Sequence, residues 1–305
     1  MIDVQGLRAL IAVADTGSVT AAAALLHYTP SNITQRVQRL EHAVGAPLLE
    51  RVGRGVVLTE LAHRLVDEGR AAVRSLDDLA EVVASDGPSG RVRVAAFPTA
   101  LRGLVVPLIR TLLDADPSLR VEPVELEPAD GVRQVRLGLV DLAIVKVWGA
   151  TSSRTDPDLH RVVLGQDAVD IVVPRDHRLT GRPQLRWADL THETWAVTPD
   201  DDPYRRWLET TTGLDRGSGI VYEAAEFASL LAFVQEGLAI AAVPRLGRGE
   251  LPPGTVAVPL AEPGAFREIA AVVRATRRES VNVRAVLDAM PLDALSQTVR
   301  ADSVR

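Results

Sequence analysis

The stretch that decides the fold runs from Ser18 to Glu41, SVTAAAALLHYTPSNITQRVQRLE, and reads as two helices joined by a tight turn. In the first helix Ser18 stands at an N-cap position, and Val19, Ala22, Ala23 and Leu26 recur at helical spacing. That side is small and apolar enough for a partner helix to approach closely. His27 and Tyr28 fill the turn. Thr29 then offers an oxygen to a backbone N–H, and Pro30 suits the first helical position, where its missing donor would have had no intrahelical partner. In the second helix Ile33, Val37, Leu40 and Val44 fall on one face, which leaves Ser31, Asn32, Gln35, Arg36, Gln38 and Arg39 outward. Amides and guanidinium groups pair with base edges in the major groove, and hydroxyls and arginines also hold phosphates. The pair of helices therefore fits a helix-turn-helix reading duplex DNA, although the polar face by itself is also what a plain solvated helix shows.

The flanks fit the same reading. Leu7, Leu10, Ile11 and Ala14 recur at helical spacing ahead of the pair, so three helices can share one small core. Behind it, LLERVGRGVVLT reads as two short strands around Gly53 and Gly55, with Arg54 at the tip of a wing, where an arginine suits the minor groove or a phosphate. The expected DNA-facing set is Ser18, Thr29, Ser31, Asn32, Thr34, Gln35, Arg36, Arg39 and Arg54.

Residues 12–58, VADTGSVTAAAALLHYTPSNITQRVQRLEHAVGAPLLERVGRGVVL with the preceding Ala12, resemble the winged helix-turn-helix of LysR-type transcriptional regulators. Gly17, Ser18, Ala22, Ala23, Leu26, Leu40, Glu41, Gly45, Pro47, Leu48, Arg51, Leu58 and Thr59 fall in register with that family's pattern. The chain departs from it at Pro30 and Ser31, where members often carry Gln then Pro, and at Thr34 and Leu49, which replace Ser and Phe. The resemblance implies a homo-oligomeric regulator, a dimer or a tetramer, with double-stranded DNA, a small-molecule effector and RNA polymerase as partners.

Composition sets the bounds. At 305 residues the chain suggests about two domain-sized units, and 47% hydrophobic content supplies real cores. No apolar run approaches the roughly 18 residues of a membrane span, and the start lacks a secretory pattern, so a cytoplasmic protein without a membrane partner is expected. The absence of Cys excludes disulfides, thiolate metal sites and Cys nucleophiles. A net charge of -6 rules out a wholly basic coat, so DNA affinity must come from one concentrated surface around Arg36, Arg39, Arg51 and Arg54.

From Leu58 the residues Leu58, Ala62, Leu65, Gly69, Ala72, Leu76, Leu79 and Val83 alternate steps of four and three, a heptad seam. A helix over 59–83 would be roughly 38 Å long at about 1.5 Å per residue. The seam either clasps a dimer or packs on its own domain, the second needing a broader stripe. The run 85–90, SDGPSG, marks a hinge. The expected division is a winged helix-turn-helix over 1–58, a linker helix over 59–86, and a sensor from 91 to 305.

Beyond Arg91 short apolar strands alternate with helices: RVRVAAF, 101–113, RVEPVEL, 131–139 and DLAIV, then AVDIVVP, TWAVT, 203–211, GIVYE, 227–236 and LAIAAVP, and last REIAAVVRA and 281–290. This predicts an α/β fold with a mostly parallel sheet in two lobes. Stretches such as AFPTALRGLVVPLI and LAFVQEGLAIAAVP resemble the effector half of LysR-type regulators, similar in fold to two-lobed periplasmic binding proteins. On that resemblance lobe I takes about 91–163 and 266–290 and lobe II about 164–265, with crossings near 164–166 and 263–266.

Ligands in open α/β sheets bind beyond the carboxyl ends of strands. The expected effector residues are Pro98, Thr99, Ala100, Trp148, Thr198, Asp202 and Phe227. Pro98-Thr99 should open a helix fit for a carboxylate, a use compatible with plain capping; Trp148 is either a pocket wall or core. No enzyme signature is present: neither Gly217-Ser218-Gly219 nor Gly247-Arg248-Gly249 extends to a nucleophile elbow or phosphate loop, and the six histidines are scattered, so no cofactor or metal is expected. Asp200-Asp201-Asp202, before Pro203, reads as a helix start rather than a cation site. The rival readings are a transport-type solute binder, which the N-terminal third and the missing export pattern oppose, and an enzyme on the same two-lobed scaffold.

Overall fold

Helix α1 (Val4–Thr16) starts where the Asp3 carboxylate accepts from the Gln5 and Gly6 N–H groups, each at 3.1 Å. Helix α2 (Val19–Leu25) starts at Ser18, whose hydroxyl accepts from the Ala21 N–H. The turn that follows is sharp, with His27 at φ 56. Helix α3 (Pro30–Val44) is capped by the Thr29 hydroxyl, which accepts from Asn32, and Pro30 takes the opening position. Leu10, Ala22, Ala23, Ile33, Val37 and Leu40 form the shared core. Strands β1 (Leu49–Val52) and β2 (Gly55–Leu58) pair antiparallel as the wing. One carboxylate oxygen of Glu41 accepts from the Leu48 and Leu49 N–H groups at 2.7 and 3.1 Å, tying the entry of the wing to α3. The structure, a computed structural model, describes residues 2–52, 55–84, 88–115, 118–148, 156–214 and 219–295, so Arg54 at the wing tip and residues 85–87 of the expected hinge lie outside the described residues.

Helix α4 (Glu60–Ala84) is the long rod read from the seam, but its first half serves its own domain. Ala62 and Val66 are buried in the three-helix core and Leu65 packs against it, the broader stripe of a packed helix. At Gly69 an added Cβ would stand 2.5 Å from the nearest Leu7 methyl carbon, so glycine lets α4 close onto α1. Arg70 then pairs with Asp15. Further along, Ala72 and Leu76 are exposed, and the side chains of Leu79 and Val83 lie outside the described residues.

Contacts along the chain divide it into one unit of 1–90 with 133–140 and a second of 91–132 with 141–305. The second begins with β3 (from Gly90 to Ala96), α5 (Pro98–Ala100), a π-helical turn at Leu101–Val105, and α6 (Val106–Ala115). Strand β4 (Leu119–Glu125), helix α7 (Pro128–Arg136) and strand β5 (Leu142–Trp148) follow. Strand β6 (Leu159–Pro174) is longer than the expected AVDIVVP and leads to β7 (Trp195–Val197), α8 (Pro203–Thr212), β8 (Ile220–Glu223), α9 (Phe227–Gln235), β9 (Ala241–Pro244) and β10 (Thr255–Pro259). Strand β11 (Phe266–Arg274) and helix α10 (Val281–Asp288) come last.

The sheet is mixed rather than mostly parallel. Strand β3 runs parallel to β5, but β11 is antiparallel to both β5 and β6, and β9 and β10 are antiparallel to β6; β7 and β8 pair parallel in a separate two-stranded sheet. The reason is the crossing between lobes: β6 carries the chain out as one continuous strand, and β11 returns hydrogen-bonded beside it, which forces opposite directions. Its ladder breaks register between Ile269 and Ala270, opposite Gly165, within the stretch read as a crossing. One core lies around Val94, Phe97, Leu108, Ile144 and Ile269, a second around Ile171, Trp195, Tyr204, Leu208 and Ile240, and a third around Val172, Leu230, Val234 and Val243. Among the described residues no single helix is long and apolar enough to cross a membrane.

Candidate functional site

Two surfaces carry the expected site residues, one in each unit. On α3, Ser31, Thr34, Gln35, Gln38 and Arg39 are exposed, and Asn32 and Arg36 are half-buried by one another. The Arg36 Nε–H donates to the Asn32 side-chain oxygen at 2.6 Å, and its guanidinium lies 4.6 Å from the centre of the Tyr28 ring. The turn thus supplies an aromatic floor and the helix a fork-holder one turn back, so the arginine is held before any ligand arrives. The Thr34 hydroxyl donates along the helix to the Pro30 carbonyl at 2.9 Å, leaving its lone pairs and methyl outward. The Thr29 and Ser31 hydroxyls stand 3.0 Å apart at the helix start. Arg54 lies outside the described residues, as above.

In the second unit a cavity of about 510 Å³ gathers Pro98, Thr99, Trp148, Thr198, Asp202 and Phe227 from four separate segments. Ala100 is the exception: it is fully buried in the lobe I core together with Phe97 and Leu104 and does not line the cavity. Phe97, Trp148, Tyr204 and Phe227 make the walls. Trp148 does both jobs left open by the sequence, lining the cavity and stacking on Trp207 at 4.9 Å in the core. Asp202 caps α8, accepting from the Tyr204 N–H at 2.7 Å, while Asp200 pairs with Arg205 at 3.3 Å.

Several charged residues that sequence reasoning missed complete the lining. Arg267, at the start of β11, is fully buried; its Nε–H donates to Asp167 at 2.8 Å and its Nη2–H to the Thr99 hydroxyl oxygen at 2.6 Å. Asp167 also accepts from the Leu246 N–H at 2.9 Å, so one chain of polar contacts runs from Thr99 in lobe I, through both crossing strands, to a loop of lobe II. Burial pulls the Arg267 guanidinium below the usual arginine range, and Asp167 pulls the other way. Burial likewise pushes the Tyr204 phenol upward, helped by Asp202. Across the lobes Arg102 donates to the Gly247 carbonyl at 3.0 Å, and Gly247, at φ +63, sits so close that an added Cβ would overlap the Thr99 carbonyl oxygen. Arg248 donates to Asp170 at 3.0 Å.

Lys146 lines the same cavity, 3.2 Å from Glu127 and 4.7 Å from the centre of the Phe97 ring. It is the only lysine in the chain, all other basic residues being arginine or histidine, and this was a signal available from sequence. Arg267 gave a weaker signal, a charge opening the apolar run Ile269–Val273.

With this geometry in hand, the comparisons with known proteins are concordant. Residues 4–63 match the family described as bacterial regulatory helix-turn-helix protein, lysR family, and residues 85–291 match the LysR substrate binding domain. The chain belongs to the LysR family of transcriptional regulators. It is 29% identical over 203 residues to the small neutral protease regulatory proteins of Streptomyces coelicolor and Streptomyces lividans, covering 66% of this chain but only 61% and 58% of those relatives. It is 24% identical to the probable HTH-type transcriptional regulator LrrA of Synechococcus elongatus over 95% of this chain and 96% of that one. In fold it is similar to a full-length OxyR variant from Pseudomonas aeruginosa, with TM-score 0.74, 18% identity and coverage of 95% and 97%. It is also similar to full-length CbnR complexed with its target DNA, with TM-score 0.65, 20% identity and coverage of 94% and 98%.

Proposed function

We propose that the chain is a ligand-responsive regulator that places α3 in the major groove of duplex DNA. Ser31, Asn32, Thr34, Gln35 and Arg36 face the base edges; Arg39 and Arg54 hold the backbone or minor groove, with Ser18 and Thr29 at the phosphates beside the two helix starts. The observation that carries this reading is Arg36, held by Asn32 and Tyr28 on an outward ridge, since an arginine already fixed loses little rotamer freedom when it meets a base. That the solved CbnR structure contains target DNA supports it.

Two copies read two half-sites, joined through the distal, exposed part of α4 around Ala72 and Leu76, and dimers pair into tetramers. A small-molecule effector occupies the cavity, in contact with Thr99 and Thr198. An effector that binds one lobe closure better than another shifts that equilibrium, and with it the spacing of the heads on DNA and their contact with RNA polymerase. The protein works in the cytoplasm.

The test is a footprint of purified protein on the DNA upstream of its own gene, with and without candidate metabolites. Two protected half-sites on one face of the duplex, altered in spacing or bend by one metabolite, are expected. A monomer that protects no duplex at low ionic strength overturns the proposal.

A further inference from the structure

We infer that the cavity takes a zwitterion of amino-acid type, with its carboxylate against unpartnered donors inside and its ammonium against acidic side chains at the mouth. The inference rests on the reading of this cavity as the effector site. Four cationic side chains line it, Arg102, Lys146, Arg248 and Arg267, and four carboxylates, Glu125, Glu127, Asp202 and Glu226. The cations are largely spoken for: Lys146 by Glu127, Arg248 by Asp170, Arg267 by Asp167. Asp167 and Asp170 are buried without lining the cavity and add two negative charges, against one positive charge from Arg245, which donates to Asp170. The site as a whole is therefore net negative, which opposes a ligand that carries only negative charge.

Two of the lining residues, however, carry a donor without a partner among the described residues. The Thr198 hydroxyl is buried with no hydrogen-bond partner among the described residues, in a residue only 1% exposed, and the Arg248 Nε is likewise buried and unpartnered. A buried donor without an acceptor costs free energy that a bound carboxylate oxygen recovers. At the mouth Glu125 and Glu226 are exposed; Glu226 precedes α9 without capping it, so its carboxylate is not committed to the helix. Phe97, Trp148 and Phe227 also line the cavity, suited to an aromatic or branched body.

The test uses L-phenylalanine, L-tryptophan and L-leucine, each with its deaminated acid and its decarboxylated amine, titrated calorimetrically into the full-length protein. Lys146, as the only lysine, gives a second readout: after reductive ¹³C-methylation its resonance stands apart from that of the α-amino group. We expect at least one zwitterion to bind and shift the Lys146 signal, with its acid and amine weaker by about tenfold or more. Thr198→Val should weaken that zwitterion about tenfold while holding or raising the melting temperature of the free protein, since it removes an unsatisfied hydroxyl. An acid that binds as tightly as its zwitterion overturns the inference and leaves the effector site standing. If none of the nine compounds binds, the inference fails. If, in addition, no metabolite alters the footprint, the effector-site reading fails with it.

Discussion

Helix α3 and the cavity of the second unit are built from the same kinds of side chain by opposite routes. Around α3 every decisive contact is local: Tyr28, Asn32 and Arg36 lie within nine residues, and the Thr29 cap and Thr34 back-bond are within four. In the cavity the decisive contacts span the chain, Arg267 reaching Thr99 across 168 positions and Asp167 across 100. Local contacts are rebuilt whenever the helix forms, whereas long-range ones depend on the packing of the whole unit, so the two sites should fail in different ways.

Arg267→Met strains that contrast hardest. It leaves Asp167 buried without its cation and should cost the second unit about 3–5 kcal/mol, seen as a large drop in its unfolding midpoint while the N-terminal unit keeps its own. Equal loss in both transitions, or none, breaks the comparison. Gly247→Ala comes next, because a side chain is forced into the left-handed region and against the Thr99 carbonyl; about 2–3 kcal/mol by urea unfolding is expected, again confined to the second unit. On the local side Thr29→Ala removes one cap and should cost about 1 kcal/mol of the N-terminal unit's stability, with effector binding untouched. Smallest is Tyr28→Leu, which removes the floor under Arg36 and should weaken operator binding by about 0.5–1 kcal/mol in a filter or fluorescence titration, with no loss of helix content.

The same contrast explains what could be read before the structure. Caps at Ser18 and Thr29, the core positions of α3 and the wing follow from local spacing and are present as read. Of the cavity, the residues placed just beyond strand ends, Thr99, Trp148, Thr198 and Asp202 among them, follow from a general rule about α/β sheets. Arg267 and Asp167 do not, because their meeting depends on the register between β11 and β6, which no short window of sequence contains. For the same reason the antiparallel return of β11 escaped a reading based on alternating strands and helices. The seam on α4 left two uses open because one apolar periodicity fits either a partner copy or the helix's own domain, and over the first half Val66 and Gly69 pack on the helix's own domain.

The central claim is that α3 reads DNA through a ridge centred on Arg36. The most direct check is the operator affinity of wild type and Arg36→Ala across a range of salt concentrations, with circular dichroism and oligomeric state followed alongside. A loss of about 1–3 kcal/mol in the variant, with relaxed preference at the base it contacts and unchanged fold and oligomer, is the predicted result. Equal affinity and equal base preference at every salt concentration would contradict the account.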